Sequence, residues 1–171
     1  MNNQYTKEQI IEETKKNNVL FIRLQFLDTL GIPKNIVIPS NRLDEALEEG
    51  IPFDGSSIVG YATIEESDKI AVPNPQSFVI LPETIEKHRT ARLICDIYEP
   101  DGSRSVVDTK YVLERVIEKA KNHGFNFNTG PECEFFLFKK DGERTTLTPN
   151  DSAGYFDLSH RDLAEGVRAD I

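Results

Sequence analysis

The chain has 171 residues, with 20 Lys and Arg against 29 Asp and Glu, a formal net charge of −9. That balance argues against a phosphate-backbone binder, whose affinity rests on neutralising phosphates with Lys and Arg. A 38% hydrophobic fraction with 10 Phe and 5 Tyr supports a packed core, so the chain reads as globular rather than disordered. The longest apolar run in mid-chain, Phe78-Val79-Ile80-Leu81, is too short to span a bilayer. The opening Met1-Asn2-Asn3-Gln4 puts no apolar segment behind basic residues, so no secretory signal is expected. Cys95 and Cys133 lie in apolar, strand-like runs without C-x-x-C spacing and read as two buried, reduced thiols of a cytoplasmic protein.

Thr6-Lys7-Glu8-Gln9 fits a capping box and predicts a short surface helix to about Asn17. Leu20, Ile22, Leu24 and Phe26 alternate with Phe21, Arg23 and Gln25, the period of a half-buried strand. Turn residues from Asp28 to Gly31 return the chain as Ile36-Val37-Ile38, which predicts a hairpin. Ser40 is the expected N-cap of a helix through Leu43, Ala46 and Leu47, stopped by Gly50. Prolines 73, 75 and 82 leave Phe78 to Leu81 as a short strand, and Ala91 to Tyr98 is the next clear one, closed by Asp101-Gly102. A β-rich unit with one packed helix is therefore expected to end near Pro100.

Asp108 caps the strongest helix, with Val112, Leu113, Val116, Ile117 and Ala120 in one stripe and Gly124 as its stop. Cys133 to Phe138 reads as a strand and Asp141-Gly142 as a hairpin turn. Ser159 with Asp162 makes a capping signature for a last helix, in which Leu163, Val167 and Ile171 share a face. Because no stop signal follows Ile171, the expectation is the front portion of a longer polypeptide.

Two stretches carry residue types suited to chemistry. In Gly130-Pro131-Glu132-Cys133-Glu134, a strand would put Glu132 and Glu134 on one face, roughly 6–7 Å apart. Two such carboxylates raise each other's pKa unless a cation lies between or near them, and carboxylate oxygens suit hard ions such as Mg²⁺ or Mn²⁺. Phe136 and Phe138 continue that face, which predicts an enclosed strand end. Taken alone, E-x-E more often marks two solvated glutamates. In Phe53-Asp54-Gly55-Ser56-Ser57-Ile58, Gly55 allows a tight turn that presents a carboxylate and hydroxyls. Taken alone, that stretch more often marks a turn satisfied by its own side chains. His88, His123 and His160 lack metal-ligand spacing with either glutamate and read as structural or surface residues.

In this order and spacing the motifs resemble type I glutamine synthetase. The resemblance is carried by F-D-G-S-S-I from Phe53, I-E-E-S-D from Ile64, I-C-D-I-Y from Ile94, G-P-E-C-E-F-F-L-F from Gly130 and G-Y-F-D-L from Gly154. It covers the chain from about Phe21 onward. It implies an α+β protein: a β-grasp-like N-terminal domain over residues 1–103, then the beginning of the α/β catalytic domain over 104–171, truncated. It also implies a cytoplasmic ligase of nitrogen metabolism that makes glutamine from glutamate, ammonium and ATP through a γ-glutamyl phosphate. The resemblance implies Mg²⁺ or Mn²⁺, with Glu134 on the metal nearest glutamate and ammonium and Glu132 on the one at the nucleotide phosphates.

By the same resemblance, Asp54 helps bind ammonium and takes its proton, while Ser57 supports that loop. The loop serves the neighbouring subunit's active site in a homo-oligomer, a dodecamer of two hexameric rings. No nucleic-acid or membrane partner is expected; regulatory proteins or an acidic effector such as 2-oxoglutarate, met by Arg23, are the regulatory partners considered. A surface ion pair is the commoner role for such an arginine. Gly60-Tyr61-Ala62-Thr63 departs from members inhibited directly by glutamine, because it lacks the Arg those often carry. The remaining metal, glutamate and ATP ligands of the family fall after Ile171, so the 171 residues alone are expected to be inactive. The competing expectations are a truncated paralogue that docks on full-length subunits without chemistry, and a related ligase using another amine.

Overall fold

The capping box at Thr6 forms as the sequence requires: its hydroxyl accepts the Gln9 amide and the Gln9 side chain accepts the Thr6 amide. The computed structural model describes residues 5–82, 88–158 and 160–171. The chain divides into two units, Met1–Phe127 and Asn128–Ile171.

In the first unit, α1 (Lys7–Lys16) leads into β1 (Phe21–Leu27) and β2 (Pro33–Pro39), an antiparallel hairpin with Arg23 opposite Val37. Asp28 closes the connection by accepting the Leu30 and Ile32 amides. A 3₁₀ turn over Ser40–Arg42 then precedes α2 (Leu43–Glu49). Ser40 is therefore not the N-cap that was expected. It opens the tight turn, and the α-helix starts one turn later, after Arg42. Gly50 ends α2 at φ +75°, where a Cβ would lie 2.7 Å from Ile70 Cγ2.

The next strands are β3 (Ile51–Asp54), β4 (Asp68–Pro73), β5 (Val79–Ile80) and β6 (Thr90–Tyr98). They complete a sheet ordered β2-β1-β6-β4-β3, with β5 also pairing β6. The sheet curls because β6 changes neighbours along its length. Its first half runs parallel to β1, and from Cys95 onward it pairs antiparallel with β4. Strands β3 and β4 were not expected. Pro52 and Pro73 mask them in sequence, yet β3 is an edge strand and Pro73 closes β4, positions where a missing N–H is tolerated.

The core gathers Ile22, Leu24, Leu93, Cys95 and Ile97 from the sheet with Ile10 of α1 and Leu43, Ala46 and Leu47 of α2. Each fully buried Leu or Ile contributes about 1.5–3 kcal/mol. Two helices therefore cover the sheet rather than one, since Ile10 of the expected surface helix is fully buried.

α3 (Thr109–Asn122) closes the first unit and is fastened to β6 by charge. The buried Asp108 carboxylate accepts the Lys110 amide, the Ile97 amide and the Arg104 guanidinium, each at 3.0 Å. Arg104 lies between the rings of Tyr98 and Tyr111, 5.2 and 4.8 Å from their centroids, and Lys110 pairs with Asp96. The stripe of α3 is amphipathic as expected, but Val112, Leu113, Val116 and Ile117 are exposed.

The second unit holds an antiparallel hairpin, β7 (Phe138–Asp141) and β8 (Arg144–Pro149), turned at Gly142 with φ +61°. The expected strand from Cys133 does not form; residues 130–137 have no regular secondary structure. Strand geometry needs a hydrogen-bonding neighbour, and the hairpin register begins only at Phe138 opposite Pro149. α4 (Glu165–Asp170) also starts later than expected, behind Ala164. Asp151 takes the Leu163 amide and Asp162 takes the Ala164 amide, which holds that stretch as a turn. Ser159, the expected cap, lies outside the described residues.

Candidate functional site

The Asp-Gly-Ser-Ser stretch forms a 3₁₀ turn, Gly55–Ser57, at the rim of the curled sheet, entered from edge strand β3. Phe53, one residue before Asp54, anchors it. Its ring packs against Phe26 and Tyr61 at centroid distances of 5.0 and 6.2 Å, and Tyr61 is buried. Asp54 is exposed and bonded to its own turn. Oδ1 accepts the Ser56 amide at 2.9 Å and the Ser56 hydroxyl at 2.6 Å; Oδ2 accepts the Ser57 hydroxyl at 3.0 Å.

The Ser56 hydroxyl, then the Ser57 hydroxyl and the Ser56 amide, hold the Asp54 carboxyl below its ordinary range, so the group stays ionised. These bonds engage Oδ1 twice and Oδ2 once, and the carboxylate as a whole is exposed at the protein surface.

The floor of the turn is tightly built. The Gly55 amide donates to Ser67 O at 2.6 Å, and a Cβ on Gly55 would sit 2.9 Å from Lys69 Cγ and 3.0 Å from Ser67 O. Lys69 is buried, and its ammonium group is held by the Glu99 carboxylate at 2.6 Å and Glu66 O at 3.3 Å. Burial pushes the Glu99 carboxyl up, but the hydrogen bonds from Lys69 and Ser105 and the Lys69 charge together outweigh it, and the group lies below its usual range. Beside this floor is an acidic cleft of about 500 Å³ lined by Glu65, Glu66, Asp68, Glu99 and Asp101.

The structure thus brings Asp54 and Ser57 together, and adds Ser56 as a second hydroxyl on the same carboxylate. The Asp-x-Ser spacing carried that signal, since an aspartate commonly bonds the amide two residues on. Lys69 and Glu99 had no such signal, being 30 residues apart in sequence.

Glu132 and Glu134 lie in the second unit, both exposed, within the irregular stretch. The enclosure expected around them is absent: Phe136 is 87% and Phe138 40% exposed. Their oxygen donors suit a hard divalent cation, but two carboxylates do not complete a coordination shell. Among the described residues no group of three or more His, Cys, Asp and Glu is placed to hold a metal ion.

Cys95 is buried, which pushes its thiol up to about 12, whereas Cys133 is exposed, against the expectation of two buried thiols. Arg23 donates to Asn35 Oδ1 at 3.0 Å across the first hairpin. His123 caps the C-terminus of α3, and the His88 ring packs edge-on against Phe21. No helix among the described residues is long and apolar enough to cross a membrane.

A curled β-grasp sheet that presents an ionised Asp-Gly-Ser-Ser turn defines the first module of a two-module chain. Residues 18–100 match the beta-Grasp domain of glutamine synthetase, and residues 106–171 match the glutamine synthetase catalytic domain. The chain belongs to the glutamine synthetase family.

It is 50% identical to the glutamine synthetase of Clostridium saccharobutylicum over 169 residues, 98% of this chain and 38% of that one. It is 49% identical to that of Thermus thermophilus over 173 residues, 98% of this chain and 39% of that one. The chain therefore spans about two fifths of the length of these relatives. Among solved structures, a Plasmodium falciparum glutamine synthetase overlaps 70% of this chain and 23% of its own, with a TM-score of 0.61 at 22% identity. GmaS in complex with ADP overlaps 67% of this chain and 26% of its own, with a TM-score of 0.59 at 19% identity. At these identities the likeness concerns the fold.

Proposed function

We propose that these residues serve as the front part of a glutamine synthetase subunit, a β-grasp-like domain over 1–103 and the opening of the catalytic domain over 104–171. The whole enzyme joins ammonia to glutamate with ATP in the cytoplasm, as a dodecamer of two hexameric rings. The observation that carries this reading is the exposed Asp54 carboxylate, kept ionised by Ser56 and Ser57.

Ammonium fits that carboxylate by charge, since an opposite charge at contact favours both ionised forms. The lowered pKa keeps Asp54 ionised and makes it a weak base, so proton removal has to be coupled to the next step. Asp54 Oδ2 takes one N–H proton, and the lone pair so released attacks the γ-carbonyl carbon of glutamyl phosphate. The new C–N bond forms as the C–O bond to phosphate breaks and phosphate leaves with that electron pair. Ser57 keeps Oδ2 aimed during the exchange, and Ser56 fixes Oδ1.

Glu134 and Glu132 would each contribute carboxylate oxygens to a divalent cation, Mg²⁺ or Mn²⁺, Glu134 on the ammonium side and Glu132 on the nucleotide side. Such cations supply charge neutralisation at the transferring phosphoryl group. Because the donors present here do not close a coordination shell, the 171 residues alone do not make glutamine.

The test is a chimera in which this chain replaces the matching front of the Clostridium saccharobutylicum enzyme. ATP-dependent glutamine formation by the assembled chimera, absent from the 171-residue chain, is the expected result. An assembled chimera that makes none overturns the reading.

A further inference from the structure

The aim of Asp54 depends on what lies beneath Gly55. That glycine rests directly on the aliphatic stem of Lys69, with no space for a Cβ between them, and its amide donates to the carbonyl of Ser67, two residues before Lys69. Lys69 faces Phe53 across the β3–β4 ladder, on the side of the sheet that packs into the aromatic cluster. A lysine there costs several kcal/mol in desolvation unless its charge is met. Glu99, at the end of β6, meets it at 2.6 Å, with the Lys69 side chain 6% and the Glu99 side chain 28% exposed. The Glu66 carbonyl accepts a second hydrogen bond from Lys69 Nζ at 3.3 Å and ties in the connection that runs from Tyr61 to Ser67. One ammonium group thus joins β4, the chain beyond β6 and the connection that supports the Asp54 turn.

We propose that the ion pair of buried Lys69 with Glu99 is the positioning element of the Asp54 turn, fixing the floor that aims Oδ2 and so setting how tightly the turn holds an ammonium cation. This rests on the reading of Asp54 as the ammonium-binding carboxylate. Lys69 and Glu99 act through Gly55 and Ser67 and touch no substrate. Removing the Glu99 charge strands the buried Lys69 ammonium, removing Lys69 leaves the part-exposed Glu99 without its partner, and in either case the strand end beneath Gly55 relaxes to let water reach it. The Ser56 and Ser57 hydroxyls lose their fixed alignment on the carboxylate, and the Asp54 carboxyl climbs back towards the ordinary aspartate value.

The experiment uses the 171-residue chain and follows the Asp54 carboxyl by ¹³C NMR against pH, with amide exchange at Gly55. The variants are Lys69→Met, Glu99→Gln and Lys69→Arg. In Lys69→Met and Glu99→Gln the Asp54 midpoint rises, and Gly55 exchanges on the order of tenfold faster. Lys69→Arg, which keeps the charge on Glu99, restores both. The methyl signals of Ile22 and Leu93 report that the core is intact.

A purely structural pair would lower the melting temperature while leaving the Asp54 midpoint and Gly55 exchange where they are. That result, in folded variants, overturns the proposal. The chimera separates this failure from failure of the functional reading. With the wild-type turn it makes glutamine or it does not, whatever Asp54 titrates like. With Lys69→Met in an active chimera, KM for ammonium rises about tenfold or more while kcat changes less. Equal KM values also overturn the positioning role.

Discussion

Asp54 and Asp68 are direct cross-strand partners at the last rung of the β3–β4 ladder. Like charges at such a rung are unfavourable, and nothing in the packing of an exposed pair requires two acids there. Asp68→Asn is expected to raise the melting temperature of the chain. Calorimetry checks it, and a lower melting temperature would contradict the repulsion.

The depressed Asp54 carboxyl makes stability depend on acid in a defined direction. Its folded-state pKa lies below the unfolded one, so its contribution is complete above the ordinary aspartate range. That contribution disappears as the pH falls through the folded value. Ser57→Ala removes one of the bonds responsible, so the variant should lose less stability than the parent on acidification from neutral pH. Urea midpoints measured across that range give the comparison; equal losses would show that Ser57 does not hold the carboxylate.

Asp108 is the strongest candidate for a destabilising truncation. Asp108→Ala leaves the buried Ile97 amide unpaired and takes a partner from Arg104, a combined cost of about 2–4 kcal/mol. Tyr98 and Tyr111 keep Arg104 in place, so the loss should appear as a lower denaturation midpoint with α3 still helical by circular dichroism.

Two glycines with positive φ should respond differently to alanine. At Gly102 the space around a Cβ is open, so Gly102→Ala costs about 1–2 kcal/mol from backbone strain. At Gly50 the Cβ would also meet Ile70 Cγ2 at 2.7 Å and Ala71 O at 3.0 Å, which adds about 1–3 kcal/mol of overlap. Equal costs in paired urea titrations would contradict the close approach of α2 to β4.

The cysteines offer a chemical check on the burial of β6. At neutral pH a thiol reagent should modify one equivalent quickly, at Cys133, and reach Cys95 only on unfolding, since burial holds that thiol protonated at about 12. Mass mapping of the labelled residue decides it; early labelling of Cys95 would show that the sheet opens.

What was legible in the sequence was set locally. The alternation of Ile22, Leu24 and Phe26, the Thr6 capping box and the Asp108 cap each express a preference of a few adjacent residues, and each forms as expected. The Asp54 turn was legible for the same reason, as a tight turn satisfied by its own side chains, although the bond from the Ser56 hydroxyl was not foreseen. Strand β3 was hidden because Pro52 is acceptable only on an edge, and position in a sheet is not a local property. The stretch from Cys133 shows the converse. Its apolar run has strand character, but ladder pairing begins only at Phe138, so the backbone before it stays irregular and the glutamates are exposed. Lys69 and Glu99 could not be paired from sequence, because only the curl of the sheet brings β4 to the end of β6.

The most direct test of the central reading follows nitrogen into product. The assembled chimera with Clostridium saccharobutylicum glutamine synthetase, given ¹⁵N-ammonium, glutamate and ATP, should label the glutamine amide. Asp54→Ala should reduce that labelling by about 10²-fold or more, with assembly unchanged. Labelling at the parental rate in Asp54→Ala would contradict the assignment of this turn to ammonium.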